Sequence, residues 1–196
     1  IIEDDYDSEF RYIGKPIPAL QGLDQNNKVI YMSTFTKSLM PSLRVAYIVL
    51  PTPLLLKYKE IFSFYSATVP RFDQHILANF MRDGHFSKHL NRMRKIYRRK
   101  YDKIKQLLGE FYPEIQITGD HAGMHMLISI PTDRSVEELK AIAEEHHIAI
   151  SPITNFLLKP IQYKQPTFLL GFGGIPIEQL EEGIHLLMKI WGIEKS

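Results

Sequence analysis

The chain has 196 residues, of which 44% are hydrophobic and 23% charged, a composition that fits a globular protein with one large domain or two smaller lobes. A net charge of +2 does not by itself indicate a nucleic-acid partner, and the absence of cysteine excludes disulfides and cysteine-ligated zinc. No apolar run approaches the roughly 20 residues of a membrane span and no signal segment opens the chain, so we expect a cytoplasmic protein without a membrane partner.

The N-terminal part of the chain has the pattern of an open α/β sheet. Ile1–Ile2 read as the end of a buried strand that gives way to an acidic loop over residues 3–7, and ligands bind at that edge of such sheets. A natural chain rarely begins within a strand, so we expect further sequence before residue 1. Continuous apolar runs at 28–33 and 45–50 predict two more strands in a sheet that is covered on both faces.

Helical and strand patterns follow in turn. Helices are predicted from 52 to about 65, from 71 to 81, and from 86 to about 111, the last being long enough to bridge two lobes. Further strands are predicted at 115–118, 124–130, 148–151 and 167–172, and further helices at 135–146, with Ser135 as its cap, and at 176–191. We therefore predict a three-layer α/β lobe over residues 1–90 and a smaller α+β lobe over residues 91–196.

The segment between the strands at 28–33 and 45–50 carries reactive side chains. Lys37 lies among apolar neighbours, and burial favours the neutral amine that Schiff-base chemistry needs. The hydroxyls of Thr34 and Thr36 suit a phosphate group. The guanidinium of Arg44 suits it as well, since it can pair with two phosphate oxygens at once. This set of groups is what a pyridoxal phosphate (PLP) site requires.

The acidic loop supplies two further groups for the same chemistry. Asp4 can keep a pyridine nitrogen protonated, which makes the ring an electron sink, and Tyr6 can donate to the ring phenolate. The pattern alone leaves a second interpretation open, in which the loop is an ordinary acidic turn and Lys37 is a surface lysine.

The strings around these residues resemble those of fold-type I, aspartate-aminotransferase-like PLP proteins. Thr34 to Tyr47 follow the family string S-F-S-K-x-L-x-P-x-L-R-x-G-Y, with threonine for both serines and Ala46 for the glycine. The resemblance runs through Phe172 and implies an α/β fold, the C-terminal half of a PLP-dependent aminotransferase-like domain. It also implies roles in the cofactor site: ring nitrogen for Asp4, ring oxygen for Tyr6, Schiff base for Lys37, and phosphate for Thr34, Thr36 and Arg44.

One branch of this superfamily is indicated by the string D-D-Y-D-S-E-F-R-Y that begins at Asp4. It is similar to the corresponding string of GabR-like (MocR) transcriptional regulators, which join an N-terminal winged helix-turn-helix to an aminotransferase-like domain. The resemblance implies a homodimeric domain that senses an amine or amino acid through an aldimine. It implies that DNA is bound only by an N-terminal domain outside this sequence. The alternatives are a PLP-dependent aminotransferase, in which Lys37 also moves the α-proton, and a scaffold without an intact site.

The C-terminal part of the chain distinguishes the sensor from the enzyme. Aminotransferases of the family usually carry an arginine in a string such as L-R-L-x-F to bind the substrate carboxylate, and here that place is taken by Leu169. Many GabR-like proteins place an arginine after a P-x-S string, where this chain has Asn155, an amide that can hydrogen-bond but cannot neutralise a charge. We therefore expect an effector sensor rather than an enzyme, with Asn155 as a candidate effector-binding residue.

Other features have two interpretations each. The basic residues of 86–105 suit either a DNA-backbone contact or, preferably, a solvated helix face. The histidine pairs lack a third ligand, so no metal site is expected. The aromatic residues Phe62, Phe64, Tyr65 and Phe72 suit an effector pocket or a dimer face, although core packing is the favoured interpretation.

Overall fold

The computed structural model describes residues 1–159, 161 and 163–195. The chain divides into two compact units, one formed by Ile1–Glu9 with Gly14–Arg94, and the other by Phe10–Ile13 with the chain from Lys95 onward. The lobe boundary expected at residue 90 stays a prediction.

The first unit is built on a three-stranded sheet, with strands β1 (Ile2–Asp5), β2 (Ile30–Thr34) and β3 (Ala46–Val49) in that order. β1 is parallel to β2, and β3 is antiparallel to β2. Glu3 lies within β1, where its carboxylate accepts the backbone N–H groups of Leu20 and Gln21 at the start of helix α1 (Leu20–Leu23). The prediction of an acidic loop from residue 3 is therefore wrong, because pairing with β2 extends the strand to Asp5.

The helices of the first unit are α2 (Thr52–Ile61), α3 (Arg71–Arg82) and the first part of α4 (His85–Gly109). α2 ends four residues earlier than predicted, and neither α2 nor α3 contains a buried residue. Phe64 is 93% exposed and Phe72 is 74% exposed. Phe62 and Tyr65 are exposed as well, so core packing is wrong for all four aromatic residues within the described chain. A sheet covered on both faces is also wrong within the described chain, because all four residues of β3 are exposed.

The second unit has a four-stranded antiparallel sheet of order β4-β5-β7-β6. Its strands are β4 (Gln116–Thr118), β5 (His125–Ser129), β6 (Ser151–Pro152) and β7 (Thr167–Gly171), and its helices are the remainder of α4, α5 (Val136–Glu145) and α6 (Ile177–Trp191). The large buried core of the unit combines all three helices with the sheet, through side chains such as Ile104, Leu107, Ile128, Leu139, Phe168, Leu187 and Met188.

The two ends of α5 show one confirmed prediction and one correction. The Ser135 hydroxyl accepts the N–H of Glu138 at 3.1 Å, as predicted for the helix cap. At the other end His147 adopts φ 59°, and the N–H of Ile148 bonds to the carbonyl of Ala143 at 2.9 Å. This αL turn closes the helix. It uses the residues that were predicted to begin a strand at 148, so β6 is only Ser151–Pro152.

No helix in the described part of the chain is both long enough and apolar enough to cross a membrane. Among the described residues there is also no group of three acidic, histidine or cysteine side chains placed to hold a metal ion.

Candidate functional site

The strand connections bring most of the predicted site residues to one edge of the first sheet. β1 and β2 are parallel, so their carboxyl ends lie side by side, with Asp5 opposite Ser33. β3 is antiparallel, so its first residue, Ala46, lies opposite Thr34 at the end of β2. The edge therefore gathers the turn after β1, the turn after β2 and the residues before β3, which carry Tyr6, Lys37 and Arg44 respectively.

Lys37 is held in a compact turn directly after β2. The N–H of Leu39 bonds to the carbonyl of Phe35 at 2.9 Å, which closes one helical turn around the half-buried lysine. Its ammonium nitrogen lies 5.6 Å from the centroid of the Tyr6 ring. An aromatic ring at this distance attracts a cation. Lys37 and Tyr6, which lie on different strand ends, are thus brought together.

The hydroxyl groups of Thr34 and Thr36 are also brought together, at an oxygen–oxygen distance of 2.7 Å. The Thr34 hydroxyl accepts the backbone N–H of Thr36 and lies within hydrogen-bond distance of the carbonyl of Val45. The two hydroxyls therefore form a small polar cluster that joins the end of β2 to the residues before β3. Such a cluster can donate to an oxyanion if the bond between the two hydroxyls is exchanged for one to the ligand.

Arg44 precedes β3 in an unusual backbone conformation, with φ 51° and ψ 35°. This left-handed region is disfavoured for residues with a Cβ atom. Its guanidinium is exposed and has no hydrogen-bond partner among the described residues. The strain is therefore not offset by a contact of the side chain within the described chain, as is typical of residues that are held for a ligand.

The two adjacent aspartates at the end of β1 have different environments. Asp5 accepts a hydrogen bond from the Tyr31 hydroxyl at 2.7 Å. Asp4 is exposed and has no partner among the described residues. Because side chains alternate along a strand, Asp4 points to the opposite face from Glu3 and Asp5. Of the two aspartates, Asp4 is therefore the one whose carboxylate makes no hydrogen bond within the described chain.

Sequence reasoning missed two polar features of this edge. Burial, together with the hydrogen bonds to Asp5 and Tyr47, raises the pKa of Tyr31 well above its ordinary value, so the phenol stays protonated. Ser38 is buried, with 1% of the residue exposed. Its hydroxyl group has no hydrogen-bond partner within the described chain. The alternation of β2 could have placed Tyr31 near Asp5, whereas no sequence signal marks the burial of Ser38.

The remaining candidates lie in the second unit. Asn155 is exposed in a 3-10 turn, Ile153–Phe156, that follows β6. Leu169 lies on β7 between Leu127 of β5 and Ser151 of β6, and it is half-buried. Neither residue brings a charge to this sheet.

Comparisons with known proteins identify relatives along nearly the whole chain. The family model for aminotransferase class I and II matches residues 8–185. The chain is 44% identical, over 98% of its length, to the uncharacterized HTH-type transcriptional regulator YdeL of Bacillus subtilis, and 36% identical over 95% to the probable rhizopine catabolism regulatory protein MocR of Rhizobium meliloti.

The chain spans 42% and 38% of the length of these two relatives. Among solved structures, it superposes with a TM-score of 0.82 and 27% identity on the α-aminoadipate aminotransferase LysN of Thermus thermophilus, complexed with N-(5'-phosphopyridoxyl)-L-leucine. That match covers 97% of this chain and 49% of LysN.

Proposed function

Because the chain belongs to the aminotransferase class I and II family, we propose that it is the PLP-binding, effector-sensing and oligomerisation part of a GabR/MocR-like transcriptional regulator. The observation that carries the proposal is the single sheet edge that gathers an amine, an unpaired carboxylate, an exposed guanidinium and two hydroxyls. These are the groups that the cofactor needs, and the sequence is more similar to the two regulators than to LysN.

Each residue of the edge has a separate task in this proposal. The Lys37 amine would hold the cofactor covalently, and the Asp4 carboxylate would hold its ring nitrogen. The Tyr6 hydroxyl would hold the ring oxygen. Arg44, whose guanidinium can donate two hydrogen bonds at once, and the hydroxyls of Thr34 and Thr36 would hold the phosphate. The bound cofactor supplies an aldehyde carbon and a ring that withdraws electrons.

An amine or amino acid is the effector in this proposal. Its amine would have the same chemistry toward the cofactor as the Lys37 amine, which would hold the cofactor in the absence of effector. An effector that binds one of two conformations more tightly would shift the protein toward that conformation. The Asn155 amide stays a predicted hydrogen-bonding residue for the effector. In the proposed protein, which is cytoplasmic, a second copy completes a homodimer, and DNA is read by an N-terminal winged-helix domain.

A second candidate function, aminotransfer, is favoured by the 27% identity to LysN and by the presence of Lys37. Against it stands Leu169, since a leucine cannot pair with a substrate carboxylate. The two functions differ in turnover. Repeated conversion of an amino donor and a keto acid would support an enzyme, whereas spectral change without turnover would support a sensor.

The cofactor site is tested by reduction with borohydride after incubation with PLP, followed by digestion and mass spectrometry. We expect the pyridoxyl mass on Lys37 and its loss in Lys37→Ala. The matched control is Lys28→Ala, which removes an exposed lysine of the same unit and should leave the labelling of Lys37 unchanged. Labelling spread over several lysines, or unchanged total labelling in Lys37→Ala, would contradict the assignment.

A further inference from the structure

The basic residues of α4 divide into two groups. Those of the first group bind other parts of the protein at 2.6–2.8 Å. They are Arg94 to the carbonyl of Glu9, Arg98 to the carbonyl of Tyr12, Lys100 to the carbonyl of Gly173, Lys103 to Glu181 and Lys105 to Asp120. These five cations are used in contacts within the protein. A basic helix therefore does not by itself indicate a ligand.

The second group, which we call the basic stripe, consists of Lys88, Arg92, Lys95 and Arg99. All four are exposed, and none has a carboxylate or carbonyl partner within the described chain. Among the described residues, the one polar contact of the group is between the Arg92 guanidinium and the ring of His89, at 3.4 Å. The hydrogen bonds that α4 makes to other parts of the described chain therefore do not involve these four residues.

The stripe lies on one side of a single continuous helix. Its members are separated by four, three and four residues, the spacing that places side chains on one face. At 1.5 Å per residue the stripe is about 17 Å long. The nearest acidic residue on this face, Asp102, is already bonded to Arg98 at 3.1 Å. The stripe is therefore a linear array of positive charge without internal neutralisation.

Ordinary solvation does not explain such an array well. Like charges at i,i+3 and i,i+4 destabilise a helix, and the stripe contains three such pairs in succession. Solvated helix faces usually intersperse both signs, as Lys140 and Glu144 do on α5, at 3.1 Å. A ligand with a regular row of negative charges would remove the repulsion.

We propose that the basic stripe binds the phosphate backbone of double-stranded DNA. Duplex DNA carries about one negative charge per 1.7 Å of its axis, so a row of cations about 17 Å long can engage several phosphates at once. Phosphate contacts carry no sequence information directly, so in this proposal the contact is independent of sequence. The choice of DNA over another polyanion rests on the proposed regulatory function. The inference goes beyond that function, in which only a separate domain binds DNA.

The test measures the salt dependence of binding by the 196-residue chain to a fluorescent duplex of about 30 base pairs with unrelated sequence. The stripe variant carries Lys88→Gln, Arg92→Gln, Lys95→Gln and Arg99→Gln. The control variant carries Lys57→Gln, Lys59→Gln, Arg71→Gln and Arg82→Gln, which removes the same number of exposed lysines and arginines from α2 and α3. Circular dichroism establishes that both variants are folded.

For wild type we expect a slope of log K against log salt that is steeper than that of the stripe variant by about 3.6, or about 0.9 per lost phosphate contact. The control variant should retain most of the wild-type slope. Equal slopes for the two variants would overturn the proposal, and so would undetectable binding by wild type at about 50 mM salt. Stripe-dependent binding to phosphatidylserine vesicles in place of DNA would overturn it in favour of a membrane.

The experiment is carried out without cofactor and repeated with Lys37→Ala. If the proposed cofactor site is wrong, the DNA-binding curves are unaffected. If the proposed DNA contact is wrong, the pyridoxyl labelling of Lys37 is unaffected. The two proposals can therefore be refuted separately.

Discussion

The left-handed backbone of Arg44 allows stability and cofactor affinity to be changed in opposite directions. At φ 51° and ψ 35° a residue with a Cβ atom is destabilised by about 1–2 kcal/mol, and glycine is not. Replacement by glycine also gives the unfolded chain extra freedom, which costs about 0.4–1 kcal/mol. We therefore expect Arg44→Gly to be as stable as wild type or up to about 1.5 kcal/mol more stable.

Cofactor binding should respond in the opposite sense. The lost guanidinium removes a charge-assisted, bidentate contact worth about 1.5–3 kcal/mol. That loss weakens PLP binding by about 10- to 150-fold. Arg44→Ala is the matched variant, because it loses the same contact but keeps the strained backbone, so it should lack the gain in stability.

Two measurements separate these effects. Urea unfolding without cofactor gives the stabilities, and absorbance titration gives the affinities for PLP and for pyridoxal, which lacks the phosphate. Both Arg44 variants should lose affinity for PLP and keep that for pyridoxal, whereas Lys37→Ala should lose both. Equal loss of pyridoxal and PLP binding in Arg44→Gly would refute the phosphate role, and a stability below that of Arg44→Ala would refute the strain argument.

Three further predictions concern the second unit. Burial alone would raise the pKa of Asp120, but its bonds to Lys105 and other groups lower it below its ordinary value. The carboxylate therefore stabilises the fold above about pH 4, so Asp120→Asn should cost about 1–2 kcal/mol at pH 7. This difference should shrink as pH falls below about 4 in urea titrations. Ser135→Ala should lose the helix cap and about 1 kcal/mol, measured as a lower unfolding midpoint. Gly173→Ala would bring a Cβ within 2.8 Å of the Met124 sulfur, which should destabilise by about 1–3 kcal/mol. The adjacent Gly174→Ala is its control, since nothing lies within 4 Å there.

Local patterns in the sequence predicted the elements whose causes are local. The apolar repeat of α4, the Ser135 cap and the strand at 167–172 depend on residues close in sequence, and the structure has them within a few residues of the expected bounds. The start of the strand predicted at 148 failed for a different reason. A helix that ends through an αL residue uses the following backbone for its own closing bonds, and His147 gives no signal as clear as glycine would.

Longer-range properties were less accessible. The sequence placed Lys37 and Arg44 near strand ends, but it could not show that β3 runs antiparallel to β2, which is what brings Arg44 to the same edge. It singled out Asp4 by resemblance, but it could not show that the neighbouring Asp5 accepts a hydrogen bond from Tyr31. The burial of β3 and of the aromatic residues near α2 and α3 was the weakest prediction. An apolar side chain is suited to packing, but the sequence does not say which residues pack against it.

Two cations of α4 limit how the sequence of the second unit can change. Arg98 and Lys100 bind the main-chain carbonyls of Tyr12 and Gly173, not their side chains. Every amino acid presents a carbonyl, so these hydrogen bonds do not depend on the side chains of Tyr12 and Gly173, whose substitution is limited by packing instead. An insertion or deletion of one residue moves the carbonyl itself by about 3–4 Å and breaks the bond. A deletion or insertion beside Tyr12 or Gly173 should therefore destabilise the unit more than a point substitution at an exposed neighbouring position, which a library of point substitutions and single-residue deletions would reveal.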